Sequence, residues 1–213
     1  QPTPRIDPAS CVGLSSEIDA LLSSAPSGSR WYLSLLTVDL DVPVVAALLI
    51  DDAGRPMTSL GIAADADPSH AILLALEEAL LTRFMLTRSP ELRARGPLGG
   101  DCATLRDHAL VHADSRELRE RMGFLLDDGP LLAADDVAAR FAGRPNALSV
   151  LLAADFDVLT VDVTTEDVAR AGLVVVRSIV PGLQPLDNDH RYRYLGGRRV
   201  SVTEPNPDPH PFP

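Results

Sequence analysis

The chain has 213 residues, a formal net charge of −11 and a hydrophobic fraction of 46%. That is enough apolar material for a packed core in one large domain or two small ones, and the acidic balance argues against nucleic acid as a partner. Every basic residue is arginine, which removes lysine Schiff-base chemistry. The longest apolar runs, 42–50 and 173–180, are strand-sized and too short to cross a membrane.

The opening, QPTPRIDPAS, has neither an initiator Met nor a secretory pattern, so residue 1 is not expected to be where the gene begins. Residues 1–30 read as lead-in and linker: a mobile stretch over 1–15, a short amphipathic helix over 16–23, and a loop, SSAPSGS. The main domain is expected over 31–204 and a proline-alternating tail over 205–213. Cys11 and Cys102 have neither metal spacing nor a disulfide framework, so both are expected as buried thiols in a reducing cytoplasm.

WYLSLLTVDL (31–40), VPVVAALLI (42–50) and MTSLGIAA (57–64) read as three strands, and the turn chemistry of DDAGRP joins the last two as a hairpin. The loop DADP leads into 68–86, a run of helix formers without an internal Gly or Pro, with Ser69 as the expected N-cap. Its apolar residues lie on both faces, which predicts a helix buried all round. Glu77, Glu78 and Arg83 inside it need partners, as a Glu–Arg pair at the helix end or as carboxylates aimed at a cation or nucleotide. Three strands then a helix favour a layered α+β domain with an antiparallel or mixed sheet and packed helices.

Helices are expected over 101–113, 115–126, 135–141 and 145–154, and SRELRERMGFLL alternates charge as a solvated face does. A strand over 156–164, a helix capped by Thr and stopped at Gly172, and a strand over 173–181 follow. Arg177, between apolar residues, is expected to be buried. His108 and His112 are spaced i, i+4; an ordinary helix surface is favoured over a metal pair. LGGRR (195–199) offers a glycine turn with arginines that suit phosphate contact or simple exposure. The tail, with Pro at 205, 207, 209, 211 and 213, is an extended segment that cannot join a helix or central strand.

GIAADADPSHAILLALEEALLTR, LTVDVTTEDVARAGLVVVRSIVPGLQPL, and LGGRR followed by the alternating prolines together resemble the C-terminal half of a YcaO domain. The proline ending is similar to that of azoline-forming cyclodehydratases. The resemblance implies ATP-dependent ring closure at Cys, Ser or Thr of a ribosomal precursor peptide, with the amide oxygen leaving as phosphate. It implies ATP and Mg²⁺ as cofactors. Glu78 and Arg83, with Glu77, would contact nucleotide; Glu77 and Glu78 would hold metal. Pro211, Phe212 and Pro213 would order the active site, the terminal carboxylate serving as a base. It also implies a leader-binding E1-like partner protein, and the remaining YcaO contacts coming from an N-terminal half or a homodimer mate. Leu81 stands where the family helix has Gln, which leaves open a non-catalytic scaffold or substrate-docking role.

Overall fold

In a computed structural model, the structure describes residues 2–93, 102–114, 116–126, 129–196 and 206–212. Three strands form the centre: β2 (Arg30–Leu35), β3 (Val44–Ile50) and β4 (Thr58–Ala64), all antiparallel, with the expected hairpin pairing Val44 with Ala64 and Ile50 with Thr58. Residues 2–15 are not a mobile lead-in. β1 (Arg5–Ile6) lies antiparallel to β2 and parallel to β5 (Leu131–Leu132), giving a mixed sheet in the order β4-β3-β2-β1-β5. A 3₁₀ turn over Pro8–Cys11 follows, and the Cys11 thiol is buried, which pushes it up to about 11.

Alternation along the strands splits the core in two. Leu33, Leu35, Val45 and Ala47 face one side, where α1 (Ser16–Ser23), α2 (Pro68–Thr87) and α6 (Ala134–Phe141) pack. Ala46, Leu48, Ile50 and Leu60 face the other, against Met122 and Leu125. This explains the doubly apolar β3: both of its faces are covered.

The cap of α2 is Asp67 rather than Ser69; its Oδ1 accepts from the Ser69 amide at 2.9 Å, with Pro68 as the first helical residue. Nor is α2 buried all round. Ala71, Ile72, Ala75, Leu76 and Ala79 face the sheet, whereas Leu81, Phe84 and Met85 are each at least half exposed. The approach to β4 is close. A Cβ on Gly61 would lie 2.2 Å from the Ala75 carbonyl oxygen and 2.4 Å from the Ala79 amide nitrogen, so only glycine fits.

Beyond α3 (Pro90–Arg93), α4 (Leu105–Asp114) packs Ala109, Leu110 and Ala113 against Leu86 and Leu92. α5 (Arg116–Arg121) and a 3₁₀ turn at Gly123–Leu125 stand where one helix was expected, and α7 (Ala147–Ala153) is capped by Asn146. β6 (Leu159–Asp162) and β7 (Val176–Ile179) pair antiparallel around α8 (Glu166–Arg170), which stops at Gly172 in the left-handed region (φ +75°). Every residue of both strands is exposed, so Arg177 is not buried as its sequence neighbours suggested. No helix among the described residues is long and apolar enough to cross a membrane.

Candidate functional site

The three charges of α2 go to three different places. Glu77 faces solvent. Glu78 is half-buried, and its Oε2 accepts from the Ile62 amide at 2.7 Å. β4 is the edge of the sheet, so that outward amide has no neighbouring strand to accept it; Glu78 does so instead. Gly61 makes this possible by letting the helix close on the strand beside it.

Arg83 is spent on the frame. Its guanidinium donates to Asp51 Oδ2 at 2.7 Å and to the Pro56 carbonyl at 2.9 Å, with both charged side chains largely buried. The expected Glu–Arg pair is therefore an Asp51–Arg83 pair that ties α2 to the β3–β4 turn. Among the described residues no group of three or more His, Cys, Asp or Glu side chains could hold a metal ion.

The proline tail docks, on the sheet face opposite α2. Phe212 packs against the cluster of Ala46, Leu48, Ile50, Leu60, Met122 and Leu125. Pro211 and Phe212 line a cleft of about 240 Å³ that also holds Ile62, His112, Asp187 and Arg193. Pro213, like Arg198 and Arg199 of the LGGRR stretch, lies outside the described residues. α2 and the tail thus lie on opposite faces of the sheet, Glu78 reaching the Ile62 amide at its edge and Phe212 packing against the same cluster as the Ile62 side chain.

Histidines hold the tail in place, a role the sequence did not disclose. His108 and His112 are not a helix surface: they are 0% and 5% exposed. His112 Nε2 donates to the Pro209 carbonyl at 2.7 Å, and His108 Nδ1 to the His210 carbonyl at 3.2 Å. His190 Nε2 donates to the Pro207 carbonyl at 2.9 Å, and His210 Nε2 to the Asp187 carbonyl at 2.6 Å. The His108 and His210 rings stack at 4.0 Å. Thr58 Oγ1 donates to the His112 carbonyl at 2.6 Å, fixing the last turn of α4 against β4. Burial holds His108 and His112 below the ordinary 6.5, more than their carbonyl partners raise them. The only local signal of this arrangement was the i, i+4 spacing; the partner carbonyls lie about a hundred residues away.

The family model of YcaO cyclodehydratases, described as ATP- and Mg²⁺-binding, matches residues 1–184. A solved heterocyclase in complex with substrate and cofactor is similar in fold at a TM-score of 0.60 and 23% identity, over 85% of this chain and 23% of that one. The heterocyclase TruD aligns at 0.51 and 22% identity, over 85% of this chain and 24% of that one. A chain of the E. coli microcin synthetase McbBCD complex with pro-MccB17 bound aligns at 0.59 and 14% identity, over 99% of this chain and 54% of that one. The chain therefore spans about a quarter of the heterocyclases and about half of the microcin synthetase chain. At these identities the likeness speaks for the fold. No curated protein matches the chain in sequence.

Proposed function

Because the chain belongs to the YcaO cyclodehydratase family, we propose that it is part of an ATP-dependent enzyme that closes Cys, Ser or Thr of a ribosomal precursor peptide into thiazoline or oxazoline rings. The observation that carries this reading beyond the family match is the ordered tail. An alternating-proline end in a family of this chemistry is here ordered, with Phe212 packed on the sheet and Pro211 and Phe212 forming part of the wall of a cleft. In this reading Pro211, Phe212 and Pro213 order the reacting end of the site.

The described residues do not make a Mg²⁺–ATP site by themselves. Mg²⁺ asks for octahedral oxygen ligands, and nucleotide sites add cationic clamps on the phosphates. This chain offers Glu77 in solvent and Glu78 with one oxygen engaged, and its expected clamp, Arg83, is taken by Asp51. The proposal therefore assigns Glu77 and Glu78 as two acids contributed from α2, and assigns the remaining ligands to further polypeptide, an N-terminal half or a mate chain. The exposed apolar side of α2, at Leu81, Phe84 and Met85, supports that assignment, since an apolar helix face of this extent is normally covered. A precursor peptide and a leader-binding partner complete the proposed assembly.

Arg83 favours one second reading. A guanidinium locked into the frame suits a chain that shapes or docks the substrate while another supplies the chemistry. The two readings part on one experiment. The chain, alone and with its copurifying partners, is given a Cys-bearing precursor peptide and ATP, and phosphate release and loss of one water per ring are followed by mass spectrometry. Glu78→Gln should abolish peptide-stimulated phosphate release with the fold intact. Full turnover in that variant removes Glu78 from the site and favours the docking role.

A further inference from the structure

A segment with proline at every second position offers a neighbour an unusual surface. Proline has no amide N–H, so its positions present carbonyl acceptors only and can neither join a ladder nor satisfy another acceptor. What holds such a segment is a donor brought to its carbonyls, from a neighbouring backbone as Arg5 gives to Pro130, or from a side chain. A charged donor would have to be desolvated to reach a half-buried segment, whereas neutral imidazole supplies one N–H without a charge to desolvate.

The structure shows that pairing in sequence along the tail. His190 donates to Pro207, His112 to Pro209 and His108 to residue 210, three carbonyls within four residues. His108 and His112 stand one turn apart on the same face of α4, while Ala109 and Ala113 on the neighbouring face seat the helix against α2. His210 completes the set from the tail itself: it donates to Asp187, stacks on His108, and accepts the Phe212 amide on Nδ1 at 3.3 Å. That last bond needs a bare Nδ1 on His210. Nδ1 of His112 is buried with no partner among the described residues, so a second proton there would point at nothing.

We propose that His108 and His112 are positioning residues that hold the tail in the site through its carbonyls, and that they do so only as neutral imidazoles, so that acid releases the tail. The proposal rests on the reading that the tail orders the reacting end of the site. Other charged groups surround the pair. His112 faces Asp208 of the tail, His108 and His210; His108 faces His210, His190 and Asp189, whose carboxyl Arg191 holds down at about 2. Asp208 favours protonation of His112, while desolvation and the adjoining histidines oppose it.

The test separates the latch from the chemistry. A p-fluorophenylalanine placed at position 212 of the full chain reports docking by its ¹⁹F shift. At pH 7.5 the wild-type signal should be that of a packed ring, and between pH 6.5 and 5 it should move to the free position. His108→Leu with His112→Leu should give the free signal at every pH. His108→Asn with His112→Gln, which return a donor near Nδ1 and Nε2 respectively, should dock at pH 7.5 and stay docked at pH 5. Ring formation on the precursor peptide should fall roughly tenfold or more in the leucine pair and recover in the amide pair. A packed signal in the leucine pair, or acid release in the amide pair equal to wild type, overturns the latch. A freed tail with ring formation unchanged supports the latch and overturns the catalytic reading of the tail.

Discussion

Two apolar runs of nearly equal length meet opposite fates. VPVVAALLI places β3 in the middle of a sheet with both faces covered, and its last six residues are buried. LVVVRSIV places β7 in a two-stranded ribbon whose residues are all exposed, Val176 at 52% and Ile179 at 44%. Both runs are mostly branched aliphatic residues, though the second carries Arg177 and Ser178; what differs most is the number of neighbouring layers. β3 has strands on both edges, helices on one face and the tail on the other. Among the described residues β7 has one strand partner, β6, and is covered on neither face. An isolated two-stranded ribbon is marginal in water, so the β6–β7 unit reads as a surface awaiting cover from outside the described residues. The exposed side of α2 belongs with it.

The contrast is broken or sharpened by measurement. The largest effect is expected from Leu76→Ala in the covered layer, a loss of about 4 kcal/mol in urea unfolding, because the residue is fully buried between α2 and the sheet. Arg83→Leu should cost about 3 kcal/mol by leaving Asp51 largely buried without its countercharge, and restoring lysine should recover only part of it. Gly61→Ala should cost about 2 kcal/mol, since the added methyl meets α2 backbone rather than a side chain that could turn away. Acid should act next and selectively. His108 and His112 sit below 6.5 when folded, so the unfolded chain binds more protons, and the stability they confer above pH 6.5 is lost as the pH falls through it. Melting temperature should decline from pH 7 to 5, and that decline should shrink in the His108→Asn, His112→Gln pair. Last, Val176→Ala in the ribbon should change stability by under about 0.5 kcal/mol. A loss near that of Leu76→Ala would mean the ribbon is packed in solution, and the contrast between the two runs would fall.

The central frame was legible because its signals were local. Short apolar runs marked β2 to β4, DDAGRP marked the hairpin, and the absence of helix breakers marked α2. β1 was not, because two residues carry no period; Arg5–Ile6 is a strand only through pairing with β2 and β5. The cap of α2 moved from Ser69 to Asp67 because Pro68 takes the first helical position. In the candidate site, the alternating prolines and the family resemblance singled out the tail, but nothing in the sequence named its holders. Hydrogen bonds from His108 and His112 to carbonyls nearly a hundred residues on leave no trace in spacing. Arg83 was singled out correctly as needing a partner, yet the partner came from a turn thirty-two positions earlier rather than from its own helix.

The bond from the Ile62 amide to Glu78 bears on how this sheet can meet other chains. A bare outer strand is a template on which an extended peptide, or another copy, can zip its backbone. On β4 that template is interrupted at its middle by a carboxylate, and at the far side β5 is only two residues long. Neither margin is fit for such zipping, so recognition of an extended substrate falls to side chains and grooves, and runaway self-association through the sheet is disfavoured from the start.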